Sequence, residues 1–372
     1  MEVLLVSTSY PRDVSDWKGR FNQRIISGLS KLDYSRLFVW GPPGQLPDNV
    51  RYCATASDTI WLEKISAQGG IAHIIRSNPP KAVLHGCELL FRLHNTYKRL
   101  SHVDIYHVNW LQNALSLPNN NKPLLVTTLG TDLKLLGLPG MKSALRHVFS
   151  HHPTIIAPNN TWMIPVLKAT FGNLASVRAI KFGIDNEFFE VTRTINEKPR
   201  IWLTVSRITK DKIGPLLEWG ENYFGTSDEL HVVGPLQDGL RLPAWVKYHR
   251  PTSLGRLREY WLPKASALVT LSSHSEGLPQ IVIEAMAAGV PVIASPIAAH
   301  RSVITHKDNG WIASSPETFC SGLDFLSDFD NNLTIGSSAR KYVSEQFGTW
   351  KDASRRYQTA HLELLEKPHH EQ

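Results

Sequence analysis

The chain has 372 residues, 42% hydrophobic and 20% charged, which excludes a disordered polypeptide and predicts two folded domains of roughly 180 residues each. Lys and Arg outnumber Asp and Glu by 40 to 33, a net charge of +7. That balance favours anionic lipid headgroups, nucleotide phosphates or nucleic acid as surroundings, unless the excess is ordinary solvated surface charge.

Cys53, Cys87 and Cys320 form neither a metal-ligand pattern nor a disulfide framework, as expected of a chain in a reducing cytoplasm. The opening Glu2-Val-Leu-Leu-Val-Ser is too short and acidic for a signal peptide, and no uncharged apolar run reaches the roughly 18 residues of a membrane span. Any membrane contact is therefore expected to be peripheral, at the inner face.

In chain order, Val3 to Ser7 reads as a buried strand, followed by a long turn that ends near Gly19. From Arg20 a helical period places Phe21, Ile25, Leu29 and Leu32 on one side. Leu37 to Trp40 is a second strand; Ile71 to Ile75 and Lys81 to Leu84 carry no clear signal. Val103-Asp-Ile-Tyr-His107-Val-Asn-Trp-Leu reads as a strand end that carries His107 into a crevice. Leu124 to Leu129 is a strand ending in Gly130-Thr-Asp132, where Asp132 either orders the loop, touches a substrate or caps the helix predicted over Leu133 to Leu136. Thr154 to Ala157 adds a strand, and the polar, irregular residues 191–199 read as a hinge.

A second sheet is predicted from Ile201 to Ser206, Glu229 to Gly234, Trp245 to Arg250, Ala265 to Leu271, Val290 to Ala294, Ser302 to Ile304 and Gly310 to Ala313. Leu254 to Leu262 and most of Phe319 to Gln346 read as helix, and so does Trp350 to Glu366, with Tyr357, His361, Leu364 and Leu365 on one side; Lys367 to Gln372 reads as a disordered tail. After the first strand of this half, Arg207 and Lys212 share one loop. Two cations at a strand's carboxyl end suit a diphosphate that departs with growing negative charge.

The densest signal is Ser272-Ser-His-Ser-Glu276-Gly-Leu-Pro-Gln-Ile-Val-Ile-Glu284-Ala-Met-Ala-Ala-Gly289. Pro279 suits the first position of a helix that Gly289 closes. Apolar residues surround Glu284 on every face, so its charge needs partners. Glu276 sits at the carboxyl end of a strand, where open α/β sheets bind ligands. Between the two acids a helix start offers N–H groups and a positive dipole end to a phosphate. A phosphate flanked by two hydroxyl-seeking carboxylates suggests a sugar nucleotide.

Glu276, seven intervening residues, Glu284 and the following Ala-Met-Ala-Ala-Gly-Val-Pro-Val-Ile-Ala resemble the signature of the retaining GT-B glycosyltransferases of the group 1, family 4 type. Arg207 and Lys212 keep the spacing of that family's Gly-Arg-Leu, three residues, Lys-Gly, with Ser206 and Ile213 at the glycine positions. Ile180 to Phe189 is similar to the stretch closing its first domain. The resemblance implies an α/β fold of two doubly wound Rossmann-like domains facing a central cleft, 1–190 on the acceptor side and 200–349 on the nucleotide-sugar side, with 350–366 crossing back onto the first.

It also implies a hexose-type transfer from a nucleotide-diphosphate donor, UDP-glucose being the first candidate, to an acceptor hydroxyl in surface polysaccharide or glycolipid assembly. Glu276 would bind the donor sugar with His107 and Asp132 near it. Arg207 and Lys212 would hold the diphosphate, and Glu284 the ribose. Gly277, Leu278 and Gln280 would offer N–H groups, Arg250 would lie beside the base, and Gly19 would allow close approach in the first loop. Leu129 stands where the family carries a histidine. No cofactor or metal is implied, and no nucleic acid; the expected partners are the donor, a sugar, polysaccharide or lipid-linked acceptor, and an anionic membrane surface. The alternatives are a sugar-nucleotide epimerase on the same fold and a non-catalytic binding protein. A dinucleotide oxidoreductase is disfavoured, because Ser7-Thr-Ser-Tyr-Pro replaces the glycine fingerprint.

Overall fold

The computed structural model of the protein describes residues 1–13, 16, 19–34, 36–68, 79–195, 198–225, 227–237, 239–274 and 276–366. The expected readings of 71–75 and of the tail 367–372 lie outside them. The chain divides into two units, Met1–Phe182 with Trp350–Gln372, and Gly183–Thr349.

The first unit holds a parallel sheet of β1 (Glu2–Val6), β2 (Arg36–Trp40), β3 (Val50–Tyr52), β4 (Ile105–Asn109), β5 (Leu124–Thr128), β6 (Thr154–Pro158) and β7 (Ser176–Val177), in the order β3-β2-β1-β4-β5-β6-β7. The order reverses between β1 and β4, the switch point of a doubly wound sheet. The three-residue β3 was not anticipated, and the ambiguous Lys81 to Leu84 belongs to a helix, Pro79–Arg99. Buried parallel strands need no polar face: Leu4, Val6, Tyr106 and Val108 enter one core cluster, and alternation turns Leu5 and His107, paired in register, to the opposite side.

The helix Trp350–Glu366 contacts that opposite side through Tyr357 and His361, both fully buried, while Leu365 is 42% exposed, contrary to the expected stripe. The same helix packs along Arg20–Leu29 so closely that a Cβ at Gly28 would lie 1.8 Å from Ser354 Oγ. Its polar residues are linked in a buried chain. Tyr34 Oη lies 2.8 Å from His361 Nδ1, His361 Nε2 3.2 Å from His107 Nδ1, and His107 Nε2 3.0 Å from Thr127 Oγ1.

Burial pushes His361 down to about 3 and His107 well below the ordinary histidine range, so both stay neutral in the fold while the unfolded chain protonates near 6.5. Their contribution is complete above that value and is lost as pH falls through it. Between pH 7 and pH 5 His361 alone is expected to remove about 2 kcal/mol of stability. Asp132, pushed up to about 6 by burial, works in the opposite sense, so the check is a comparison. Denaturation of His361→Asn should start from lower stability at pH 7 and fall less steeply toward pH 5 than the wild type. Parallel slopes would contradict the assignment.

The second unit holds β8 (Arg200–Val205), β9 (Asp228–Val233), β10 (Val246–His249), β11 (Ala265–Thr270), β12 (Val292–Ala294) and β13 (Trp311–Ile312), parallel in the order β10-β9-β8-β11-β12-β13. Its switch point lies between β8 and β11. Trp202, Leu230, Val232, Val269, Ile293 and Phe319 form a core cluster on one face. Ser302 to Ile304, expected as a strand, instead prolongs the helix Ala298–Arg301 as a turn, with Ser302 N–H donating to Ala298 O at 3.0 Å and Ile304 N–H to His300 O at 2.8 Å.

The segment read as a hinge is anchored instead. Arg193 donates to Gly289 O at 3.0 Å, Asn332 Oδ1 at 2.7 Å and Ala265 O at 2.7 Å, and Thr194 N–H donates to Pro263 O at 2.8 Å. These residues and the buried Phe188 belong to the second unit, Gly183–Thr349.

Candidate active site

The site of the second unit is assembled at the carboxyl ends of β8 and β11. After β8 the chain passes Arg207, whose carbonyl accepts from Thr209 N–H and Ser206 Oγ, each at 3.0 Å. It then makes one short helix, Lys210–Ile213, capped by Thr209 Oγ1, which accepts from Lys212 N–H at 3.3 Å. At Gly214, with φ +54°, a Cβ would stand 2.0 Å from Leu271 O, so the loop rests directly on the end of β11. Asp211 O accepts from Ser273 N–H at 2.8 Å, Ser273 Oγ at 3.2 Å and Ser272 Oγ at 3.4 Å. The turn that follows β11 is thereby stitched to the loop that follows β8.

That stitching brings together side chains 64 positions apart. The Lys212 ammonium pairs with the Glu276 carboxylate, and the two side chains are 17% and 15% exposed. A pair this sheltered is weakly screened, and removing one partner strands the other charge.

Gly277 and Leu278 are buried behind Glu276. Pro279 takes the cap position, not the first helical one: its carbonyl accepts from Val282 N–H at 3.0 Å, and the helix runs Gln280–Ala287 with no side-chain cap. Its first N–H groups have no acceptor within the helix, and its positive dipole end opens beside the Glu276 turn.

Within that helix Gln280, Ile281 and Glu284 are half-exposed and the other five residues buried. This corrects the expectation of an apolar surround on every face. Gln280 and Glu284, four apart, share one accessible stripe, and Gln280 Oε1 is buried without a hydrogen-bond partner. Arg207 is half-buried in the same loop as Lys212. Arg250 is exposed just beyond the edge strand β10, with β9 standing between β10 and β8.

The three residues expected from the first unit have different placements. His107 does not reach a strand end: it is the third residue of β4, 1% exposed, and its ring is engaged by His361 and Thr127. The reason is the alternation that turns it under the C-terminal helix. Asp132 is 2% exposed and accepts from Leu129 N–H at 3.1 Å and Leu111 N–H at 3.3 Å, so it ties together the segments that follow β4 and β5. Gly130, and not Asp132, precedes the 3-10 turn Thr131–Gly137 found where an α-helix was expected. Gly19 caps the helix Arg20–Leu29 with φ +68°, and a Cβ there would lie 2.6 Å from Ser9 and Tyr10 backbone atoms.

Two groups escaped the sequence reading. At the first unit's switch point Asn22 Nδ2 donates to Ser7 Oγ at 2.7 Å and Asn109 Nδ2 donates to Asn22 Oδ1 at 2.5 Å, beside Trp110 at φ +67°. In the second unit His300 is fully buried near Glu276 and Lys212, whose charges both act on it. No spacing rule marks either group: an asparagine in a helix, another at a strand end and a histidine after a strand read as ordinary structural residues until the strands are aligned.

Residues 240–328 match the family described as "Glycosyl transferases group 1". That span includes Arg250, Glu276, Gly277, Leu278, Gln280 and Glu284; Arg207 and Lys212 lie ahead of it. An uncharacterized glycosyltransferase of Haemophilus influenzae is 34% identical over 93 residues, 24% of this chain and 26% of its own. The chain spans about a quarter of the length of the curated relatives it matches.

Solved structures extend the likeness to nearly the whole chain. Sucrose-phosphate synthase from Thermosynechococcus elongatus superposes with a TM-score of 0.71 at 15% identity, covering 98% of this chain and 99% of that one. Anabaena HepE in complex with UDP and glucose gives 0.62 at 14%, covering 97% and 99%. The fold is GT-B. At such identities the GT-B likeness establishes the architecture, and the chemistry has to come from the residues.

Proposed function

We propose that the protein is a retaining GT-B glycosyltransferase that moves a hexose-type sugar from UDP, with UDP-glucose as first candidate, onto an acceptor hydroxyl. The observation that carries this reading is the Lys212–Glu276 pair at the β8/β11 switch point, beside an uncapped helix start. A diphosphate seats against Lys212, Arg207 and the helix N–H groups, while Glu276 accepts hydroxyl bonds from the sugar and Glu284 from the ribose. The C1–O bond to the β-phosphate breaks, a C1–O bond to the acceptor forms on the same face, and the acceptor proton leaves with the phosphate. Charge building on the departing UDP meets ammonium and guanidinium groups, so a divalent ion is not required. The match of 240–328 to a glycosyltransferase family supports the reading, and so does the likeness to a structure holding UDP and glucose.

The acceptor side is read from charge. The first unit carries 24 Lys and Arg against 14 Asp and Glu, the second 16 against 19. A basic acceptor unit suits an anionic lipid-linked or polysaccharide acceptor and peripheral contact with an anionic membrane; among the described residues no helix is long and apolar enough to cross one.

The direct test is thermal denaturation with UDP, GDP and ADP. UDP at about a hundred times its Kd is expected to add roughly 2.7 kcal/mol, seen as a rise in Tm of several degrees that Lys212→Ala removes. The absence of a shift with any of the three would defeat the donor assignment. Addition of EDTA should leave turnover unchanged.

A further inference from the structure

His300 has no part in the reading above, yet it lies at the root of the turn that carries Glu276. Its side chain is fully buried, and its Nδ1 stands 3.0 Å from Ser295 O and 3.2 Å from Ser295 Oγ. A carbonyl oxygen accepts and cannot donate, so Nδ1 bears the proton and Nε2 is a bare lone pair. That Nε2 is buried and has no hydrogen-bond partner. Burial holds the ring below the ordinary histidine range, against the opposing pull of Glu276, so it stays neutral.

Ser295 Oγ passes the anchor on, donating at 2.5 Å to the carbonyl of Ser272, the first residue of the Glu276 stretch. Ser272 Oγ donates in turn to Asp211 O and accepts His274 N–H at 3.1 Å, and Ser273 N–H donates to Asp211 O. An unbroken run of hydrogen bonds thus leads from β12 through the β11 turn to the residue beside Lys212.

We propose that His300 is a positioning residue for the Lys212–Glu276 pair, acting through its Nδ1–H on Ser295 and thence on Ser272 and Asp211. This rests on the glycosyltransferase reading for its catalytic consequence, but the positioning itself can be measured without turnover. The unpartnered Nε2 keeps the ring from adding a positive charge beside Lys212, which would compete for Glu276. Displacement of the turn by even an ångström costs the alignment on which transfer depends.

Three variants separate the ring nitrogens. His300→Asn keeps an N–H donor near the Nδ1 position, His300→Gln places its amide near Nε2, and His300→Phe keeps the ring without either. Amide hydrogen exchange at Ser273, compared with Leu268 inside β11, reports the relay. Ser273 is expected to stay protected in His300→Asn and to exchange about 10-fold faster or more in the other two, with Leu268 unchanged. Sugar transfer should follow the same order, with kcat about 100-fold lower in His300→Phe and His300→Gln and largely recovered in His300→Asn. Three results would overturn the proposal: uniform loss of protection at both amides, recovery by glutamine in place of asparagine, or an unaltered Ser273 in His300→Phe. A wild-type protein that neither binds UDP nor transfers sugar would overturn the glycosyltransferase reading while leaving the exchange result to judge His300.

Discussion

Glu276→Gln is expected to slow sugar transfer by about 10²- to 10³-fold while leaving UDP binding intact or tighter. The substitution preserves shape and removes charge. Under the proposed function Glu276 has two tasks that oppose each other. In that reading its carboxylate accepts the hydroxyls of the sugar, which the amide would do poorly, while it also neutralises Lys212, which a diphosphate would seek. Without that charge the ammonium has no protein counter-ion in this pair, and a nucleoside diphosphate meets less competition for it. Steady-state kinetics and calorimetric titration with UDP check both halves. A kcat within tenfold of the wild type would remove Glu276 from the sugar site, and a large loss of UDP affinity would show that it holds the nucleotide instead.

Gly214→Ala is expected to cost about 2–4 kcal/mol and to take activity with it. Two penalties act at once. With φ +54° and ψ −138°, Gly214 occupies backbone space that side chains rarely enter. The added methyl would lie 2.0 Å from Leu271 O, an overlap that backbone on both sides has to relieve. The movement separates the loop of Lys212 from the end of β11, so the ion pair suffers even in molecules that remain folded. Urea denaturation reads the stability loss and initial rates read the site. An unchanged midpoint with full activity would mean that the loop stands off β11.

Gly214 also illustrates what the sequence discloses. The family resemblance sets a glycine directly after the lysine, where Ile213 stands, buried at 2%, so the motif reads as broken. The physical demand is for a residue without Cβ where the loop crosses β11, and this chain meets it one position later. The apolar runs that mark buried strands and the extent of Trp350–Glu366 were readable from local periodicity, whereas the spacings of Arg207 with Lys212 and of Glu276 with Glu284 were read through the family resemblance.

What stayed hidden depends on contacts between distant segments. His107 at a strand end and His107 beneath a helix have the same local sequence; Tyr357 and His361, some 250 positions away, decide between them. His300 and the amides of Asn22 and Asn109 likewise acquire meaning only when separate strand ends are brought side by side. Arg193 looked like part of a linker because the acceptors that hold it, the carbonyls of Gly289, Ala265 and Ser266 and the side chain of Asn332, come from three distant parts of the chain.

The return of Trp350–Glu366 to the first unit governs the order in which this protein matures on the ribosome. The residues from Gly183 to Thr349 form one uninterrupted stretch, so their unit needs no segment from outside itself to complete its contacts. The earlier half, although translated first, must wait with one flank of its sheet uncovered until the final helix has left the exit tunnel. A released chain truncated after Thr349 should therefore present a protease-resistant Gly183–Thr349 fragment joined to a susceptible amino-terminal half, a hierarchy opposite to the direction of synthesis.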